Sequence, residues 1–164
     1  MKTYKEIVTE FSSSCAAHLA IKSFAEGALD YLDASSQNIL YPYVFLRPLT
    51  SPGINLNPNG ISGTRSLTFE LYSLDVPKLS DASPLQIKSN TEQYIYDIIS
   101  YFNLGSGQQT EFITLGGMIP VDEAFEDRAY GWQATITYTD AYVLDYCAFT
   151  TTEKEWVAPI TPLS

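Results

Sequence analysis

The alternation of apolar and polar positions predicts two long helices. In TYKEIVTEFSSSCAAHLA, apolar residues recur at the spacing of an amphipathic helix, which predicts a helix over residues 3–20. IKSNTEQYIYDIISYFN repeats that spacing. Ser89 or Asn90 can cap its start and Gly105 stands where a helix stop is expected, so the second helix is predicted over residues 90–103.

The same pattern predicts strands of two kinds. LYPYVFLRPL is a dense apolar run between prolines and predicts a buried strand. TRSLTFELYSL and WQATITYT alternate apolar and polar residues, as half-buried antiparallel strands do. With two short ones, the predicted strands are 21–24, 43–47, 64–74, 112–115 and 130–139, and residues 142–149 form an extended end or a further strand. Loops are predicted over 33–38, 77–86 and most of 105–127.

A long, turn-rich excursion separates the second and third predicted strands. Residues 50–63 hold prolines, glycines and asparagines, with NPNG as the expected tip. The excursion also carries three apolar residues expected to be exposed, Ile54, Leu56 and Ile61. An apolar loop of this length in a small domain is typically functional or packs on a partner. We therefore expect a long hairpin whose apolar residues contact another subunit.

The element order is helix, strands, helix, strands, which favours an α+β fold: a mostly antiparallel mixed sheet flanked by two main helices, with the long hairpin excursion. A length of 164 residues indicates a single domain. The final segment, 150–164, is irregular and carries Trp156. It either docks on a neighbouring subunit or stays free.

Composition narrows the classes of partner. The formal net charge is −10 and the sequence pI about 4.3, which argues against a surface that grips nucleic-acid phosphates but allows a wall that DNA slides past. The start MKTYKEIVTEF has no apolar signal core, and no apolar run reaches the roughly 20 residues of a membrane span, so a soluble protein made in a reducing cytoplasm is expected. Buried thiols at Cys15 and Cys147 are favoured over one disulfide.

The sequence offers one weak metal-site candidate. Cys15 and His18 lie three residues apart, and Cys147 could join them. A structural zinc site needs four ligands, usually in close pairs, so a core thiol and a helix-surface imidazole are favoured. His18, the single histidine, is expected within a regular helix, and neither a G-x-S-x-G elbow nor a phosphate-binding loop occurs.

An acidic cluster and a lone arginine are the remaining candidates for chemistry. Paired carboxylates could serve as acid and base or bind Ca²⁺, but a solvated loop is favoured. The cluster consists of Asp122, Glu123, Glu126 and Asp127. Arg47 lies within an apolar run, where it either pairs with a carboxylate or lies at a subunit interface. We predict no catalytic residue, metal site or cofactor.

The stretch EDRAYGWQATITYT leads from that cluster into the last predicted strand. Gly131 would relax the backbone at the strand start or leave room for a bulge. Asp127 and Arg128 are expected to be turn residues or partners in a salt bridge between subunits.

Over residues 1–149, the order of these motifs resembles small tail-terminator or tail-completion proteins of tailed bacteriophages, nearest to those of Bacteroidetes-type phages. The resemblance is carried by the leading helix, FAEGALDYLD, YPYVFLRPL, LTFELYSLD, SNTEQYIYDII, DRAYGW and the cysteine of LDYCAF. Such proteins join the tail to the head among the neck and connector components.

The resemblance implies a fold and an assembly. It implies a mixed sheet flanked by helices and a homo-oligomeric ring, often a hexamer, around the DNA channel, with neck and tail-tube proteins as neighbours and no catalytic residues or membrane contact. The implied location is the virion, after assembly in the host cytoplasm. Expected contact residues are Arg47, Ile54, Leu56, Ile61, Asp127, Arg128 and Trp156. The alternatives are another neck ring or a tail or baseplate adaptor and, in a different class, a small hydrolase using the acidic cluster.

Overall fold

The computed structural model describes residues 2–28, 39–49, 53–58, 62–77, 82–105, 111–124 and 128–143. Its long elements follow the order helix, four strands, helix, two strands. They are α1 (Tyr4–Ala17), β1 (Ser23–Glu26), β2 (Tyr43–Pro48), β3 (Gly53–Leu56), β4 (Ser62–Asp75), α2 (Pro84–Gly105), β5 (Phe112–Ala124) and β6 (Ala129–Val143).

The six strands that the structure describes form one mixed sheet. The strand order is β1-β2-β4-β6-β5, and β3 also pairs with β4. β1 and β2 are parallel, and every other pair is antiparallel. One edge of β4 pairs with β6 over its whole length, while the other edge pairs first with β3 and then with β2. The predicted α+β fold and the hairpin between β2 and β4 are confirmed.

The main core lies between the two helices and one face of the sheet. Alternate residues of β2, β4 and β6 point to this face, because the pleat turns successive side chains to opposite sides. They meet the apolar stripes of α1 and α2, whose burial keeps both helices on the sheet. The fully buried members include Ile7, Phe11, Leu46, Phe69, Leu71, Ile95, Ile98, Ile136 and Tyr138.

The opposite face of the sheet has two parts. Near one end it holds a second, smaller apolar cluster: Tyr43, Phe45, Tyr72, Leu74, Val76 and Ala129. Further along the strands the face becomes polar, with half-buried side chains at Thr68, Glu70, Gln133, Thr135 and Thr137.

Helix α1 starts one residue after its predicted start and ends three residues early. A capping box joins Thr3 and Glu6 at its start. His18 leaves the helical conformation, with φ −82° and ψ 123°, and its Nδ1 accepts a hydrogen bond from the Ala20 amide. The prediction that His18 lies within a regular helix was therefore wrong, because this bond turns the chain toward β1.

Helix α2 begins six residues before its predicted start. The Ser83 hydroxyl accepts a hydrogen bond from the Gln86 amide at 3.3 Å. Pro84 occupies the first helical position, where its missing N–H costs nothing. The expected caps at Ser89 or Asn90 were wrong, and so was the expected loop where it covers residues 84–86, because Ser83 and Pro84 supply an earlier start. Residues 78–81 of that loop lie outside the described residues.

Strand β5 is much longer than the predicted strand at 112–115. It pairs with β6 up to Ala124, across register shifts between Leu115 and Met118 and between Val121 and Ala124. The first shift accommodates two glycines, and the edge position of β5 tolerates Pro120. The glycines and the proline, which favoured a loop, instead mark a bulged edge strand.

Other strand boundaries also differ from prediction. β1 starts two residues later than expected, at Ser23. β3 forms within the turn-rich excursion, and β6 extends to Val143, so residues 142–143 continue it. Residues 33–38 and 144–149 lie outside the described residues.

Candidate functional site

The hairpin of β3 and β4 presents apolar side chains to solvent. Every described residue from Gly53 to Pro58 is exposed. Ile54 and Leu56 keep 48% and 52% of their surface accessible. Ile54 pairs with Arg65 of β4. Arg65 is an even number of residues from Phe69, which packs against the helices, so both lie on the same face of the sheet. Ile54 and Leu56 are therefore on the helix-bearing face. The predicted exposure of both residues is confirmed.

The part of this hairpin that precedes Arg65, including β3, carries no charge. The sequence from Pro48 to Thr64 contains no Asp, Glu, Lys, Arg or His, and no other interval of the chain between charged residues or histidine is longer. Elsewhere the chain is strongly acidic, with a formal net charge of −10. The hairpin is thus the place where a second acidic molecule would meet the least repulsion.

Two features fix the shape of the hairpin. The Asn57 amide donates to the Ser62 carbonyl at 2.7 Å, and Asn57 Nδ2 donates to Ser62 Oγ at 3.0 Å. Gly63 allows β3 to approach closely, since an added Cβ would lie 2.0 Å from the Asn55 carbonyl oxygen. The apolar side chains of β3 therefore project from a defined backbone.

A buried ion pair anchors the base of the hairpin. Arg65 Nε and Nη2 donate to the two carboxylate oxygens of Asp140 at 3.0 and 2.6 Å. Arg65 Nη2 also donates to the Lys2 carbonyl, which ties the start of α1 to the sheet. The Tyr138 hydroxyl donates to Asp140, and burial, followed by the Asp140 charge, raises the pKa of Tyr138. Sequence reasoning missed this cluster, because its two charges are distant in the chain and each lies in an alternating strand.

Arg47 lies on the other face of the sheet. It pairs with a carboxylate, which was one of the two alternatives predicted for it. Its Nη1 donates to Glu70 at 3.0 Å, and this bond raises the pKa of Arg47. Tyr72 and Gln133 donate to the same carboxylate at 2.9 Å each. Burial, followed by the Glu70 contact, raises the pKa of Tyr72 to about 12. Glu70 thus joins β2, β4 and β6, and the subunit contact of Arg47 stays a prediction.

The described part of the acidic cluster is engaged in structural contacts. Asp122 pairs with Lys88 of α2, and Glu123 accepts a hydrogen bond from the Tyr130 hydroxyl at 2.9 Å. That bond raises the pKa of Tyr130. Both residues therefore fasten the end of β5 to its neighbours.

Cys15 and His18 have separate surroundings. Cys15 is a free, buried thiol, and burial raises its pKa to about 12. His18 Nε2 lies 3.2 Å from Asp97 Oδ2. Because Nδ1 accepts a hydrogen bond from the Ala20 amide, the ring N–H is on Nε2, which donates to Asp97. His18 thereby joins the end of α1 to α2. Within the described ranges, no group of three or more His, Cys, Asp or Glu side chains could hold a metal ion.

The remaining predicted residues are only partly placed. Arg128 is exposed and has a φ of 53°, in the left-handed region typical of tight turns. The other calls fall outside the described residues: Ile61, Glu126, Asp127, Cys147 and Trp156, the last in the predicted extension 150–164. Their assignment to an interface, an acidic site or a thiol stays a prediction.

Comparison with known proteins does not assign the chain to a family. No family model matches it, and neither does any curated protein. None of the described helices is long and apolar enough to cross a membrane.

Proposed function

We propose that the protein is a structural component of a tailed-phage virion, forming a ring at the head–tail joint or at the top of the tail. The observation that carries the proposal is the uncharged, exposed apolar hairpin of Ile54 and Leu56 on an otherwise acidic chain. Exposed apolar surface of this kind marks protein contacts. The α+β fold agrees with the fold that the phage resemblance over residues 1–149 implies.

In this proposal the mechanism is assembly. The hairpin buries its apolar side chains on a neighbouring subunit, and repetition of one contact around an axis closes a ring, with six copies the expected number. Neck and tail-tube proteins lie above and below it. Negative charge around the channel lets DNA pass without specific binding, since phosphates are repelled.

Assembly onto purified tails tests the proposal. The protein is expected to bind tails or necks that lack it, and to appear as rings by negative-stain microscopy. Ile54→Lys, which places a charge on the hairpin, should abolish ring formation and tail binding. Leu19→Lys is the matched control, because Leu19 is 96% exposed and lies outside the hairpin.

The outcome also separates the alternatives. Antibody label at the head–tail joint of the virion supports a terminator or neck ring, whereas label at the far end of the tail would favour the adaptor hypothesis. A protein that forms no ring at high concentration and binds neither tails nor necks would contradict the proposal.

A further inference from the structure

The described sheet has edges whose outward backbone N–H and C=O groups pair with no other strand. Such edges accept strands from other molecules, and folded proteins defend them with charges, prolines, bulges or covering side chains. β5, β1 and β3 each present an edge of this kind.

The β5 edge is well defended. The Asn103 side chain of α2 occupies both backbone groups of Ile113: it accepts from the Ile113 amide at 2.7 Å and donates to the Ile113 carbonyl at 3.1 Å. Beyond this point the strand carries two register shifts and Pro120. An incoming strand would have to displace Asn103 and follow an irregular edge.

The β1 edge is short and charged. It has four residues, follows Lys22 directly and ends at Glu26, whose carboxylate accepts from the Tyr4 hydroxyl. Charged residues at both ends of so short a strand are among the features that defend an edge against added strands.

The β3 edge has the opposite character. β3 is also four residues long, but it is uncharged, each of its residues is exposed, and it is apolar at Ile54 and Leu56. The outer edge of β3, on the side away from β4, pairs with none of the other described strands. Among the edges that the described residues form, β3 is the one best suited to accept a strand.

We propose that β3 pairs in antiparallel fashion with β3 of a second copy of this chain, so that the two sheets become continuous across a two-fold axis. Residues opposite each other in an antiparallel pair lie on the same face of the sheet. Several registers keep like faces together, and we place the two-fold axis at Asn55 because this register covers both apolar side chains: Ile54 lies opposite Leu56 of the second copy. Asn55 then lies opposite its own equivalent, on the other face.

The lack of charge on the β3 edge favours a second copy of this chain as the partner. A basic partner would gain most by contacting an acidic surface, whereas the β3 edge carries no charge at all. Two copies with a formal net charge of −10 each repel one another, so they approach best where both are neutral. The β3 edge on both molecules meets that condition.

The pairing needs only a second copy and does not rest on the proposed function. A two-fold contact cannot by itself close a ring whose subunits all point the same way. The two-fold pair is therefore a different contact from the one that closes the ring. It covers the β3 edge of subunits that have not yet assembled into a ring.

Cysteine cross-linking tests the register directly. In a Cys147→Ser background, Asn55→Cys should form a disulfide-linked dimer under mild oxidation, because opposite Cα atoms lie about 4.5–5.5 Å apart, within disulfide range. Ile54→Cys alone should not cross-link, since its own equivalent lies on the diagonal, about 7–8 Å away. A mixture of Ile54→Cys and Leu56→Cys proteins should cross-link between the two variants.

Sedimentation of the unmodified chain supplies the second arm. Ile54→Lys should raise the dimer dissociation constant by about a hundredfold, because the contact would bury an unpaired charge. Leu85→Lys, at an exposed position of α2, should leave it unchanged. Circular dichroism and thermal melting check that both variants fold.

Three results would overturn the pairing: a protein monomeric at about 1 mM, failure of Asn55→Cys to cross-link, or equally rapid cross-linking of Ile54→Cys alone. Rings that form without the Asn55→Cys cross-link would overturn the pairing but leave the proposed function standing. A dimer that cross-links as expected yet never joins tails would support the pairing and contradict the proposed function.

Discussion

At position 131 the backbones of β4 and β6 leave no room for a side chain. An added Cβ would lie 1.9 Å from the Ser73 carbonyl oxygen, which is far inside contact distance. From the sequence, Gly131 was expected to relax the backbone at the start of a strand or to leave room for a bulge. The structure shows a close backbone approach where Gly131 lies opposite Leu74 of β4. The expected irregularity lies in β5, whose register shifts between Val121, the partner of Gly131, and Ala124.

Gly131→Ala is expected to destabilise the protein by about 1–3 kcal/mol, because overpacking forces the backbones apart. Gly117→Ala is the matched control, since a Cβ at Gly117 meets nothing within 4 Å. Urea denaturation of both variants measures the difference. Equal free energies of unfolding for the two variants would contradict the close approach.

Asp75 is a buried carboxyl at the end of β4. Burial raises its pKa above the ordinary value, and the hydrogen bond from the Val76 amide opposes that shift. The folded state therefore holds the Asp75 proton more tightly than the unfolded state. The associated stability is fully present below the unfolded pKa and is lost as the pH rises through the folded pKa.

Asp75→Asn removes this loss, and the amide oxygen can still accept from Val76. We expect the variant to be more stable than the wild type at pH 7, with the difference shrinking as the pH falls toward the ordinary carboxyl pKa of about 3.9. Chemical denaturation at several pH values tests this. A difference that does not change with pH would show that Asp75 does not titrate as described.

At the scale of elements, Asn103 links α2 to the edge of β5. Its side chain makes two hydrogen bonds to the backbone of Ile113, in the manner of a neighbouring strand. The sequence predicted both elements but not this link, because an asparagine near a helix end has many ordinary roles. Which strand lies beside the helix end depends on the sheet order.

Asn103→Ala should destabilise the protein by about 1–3 kcal/mol, because two backbone groups lose their partner. It should also speed amide exchange at Ile113. Ser100→Ala, at an exposed position of the same helix, is the control. Unchanged exchange at Ile113 in the Asn103→Ala protein would argue against a protecting role.

At the scale of the whole molecule, net charge governs how copies meet. If the contact is the uncharged β3 edge, repulsion between acidic surfaces opposes it. Raising the salt from about 0.01 M to about 1 M shortens the screening distance from about 30 Å to about 3 Å and should strengthen self-association. Sedimentation across this range measures the effect. Weaker association at high salt would indicate charge pairs across the contact instead, such as the predicted ones at Arg47, Asp127 and Arg128.

The sequence by itself determined the fold class and the periodic elements. Burial imposes a period near 3.6 on helices and 2 on strands, so the faces of α1, α2, β4 and β6 could be read directly. It also located the exposed apolar residues Ile54 and Leu56, since an apolar residue in a turn-rich segment has no face of its own to bury.

Only the tertiary structure decided which elements are neighbours. The Arg65–Asp140 pair, the Glu70 contacts and the Asn103 link each join residues from different elements, and β5 is a long strand because β6 lies beside it. Local patterns encode the face that a residue presents, whereas the partner on that face depends on strand order and register. That order left β3 as the exposed, uncharged edge of the described sheet.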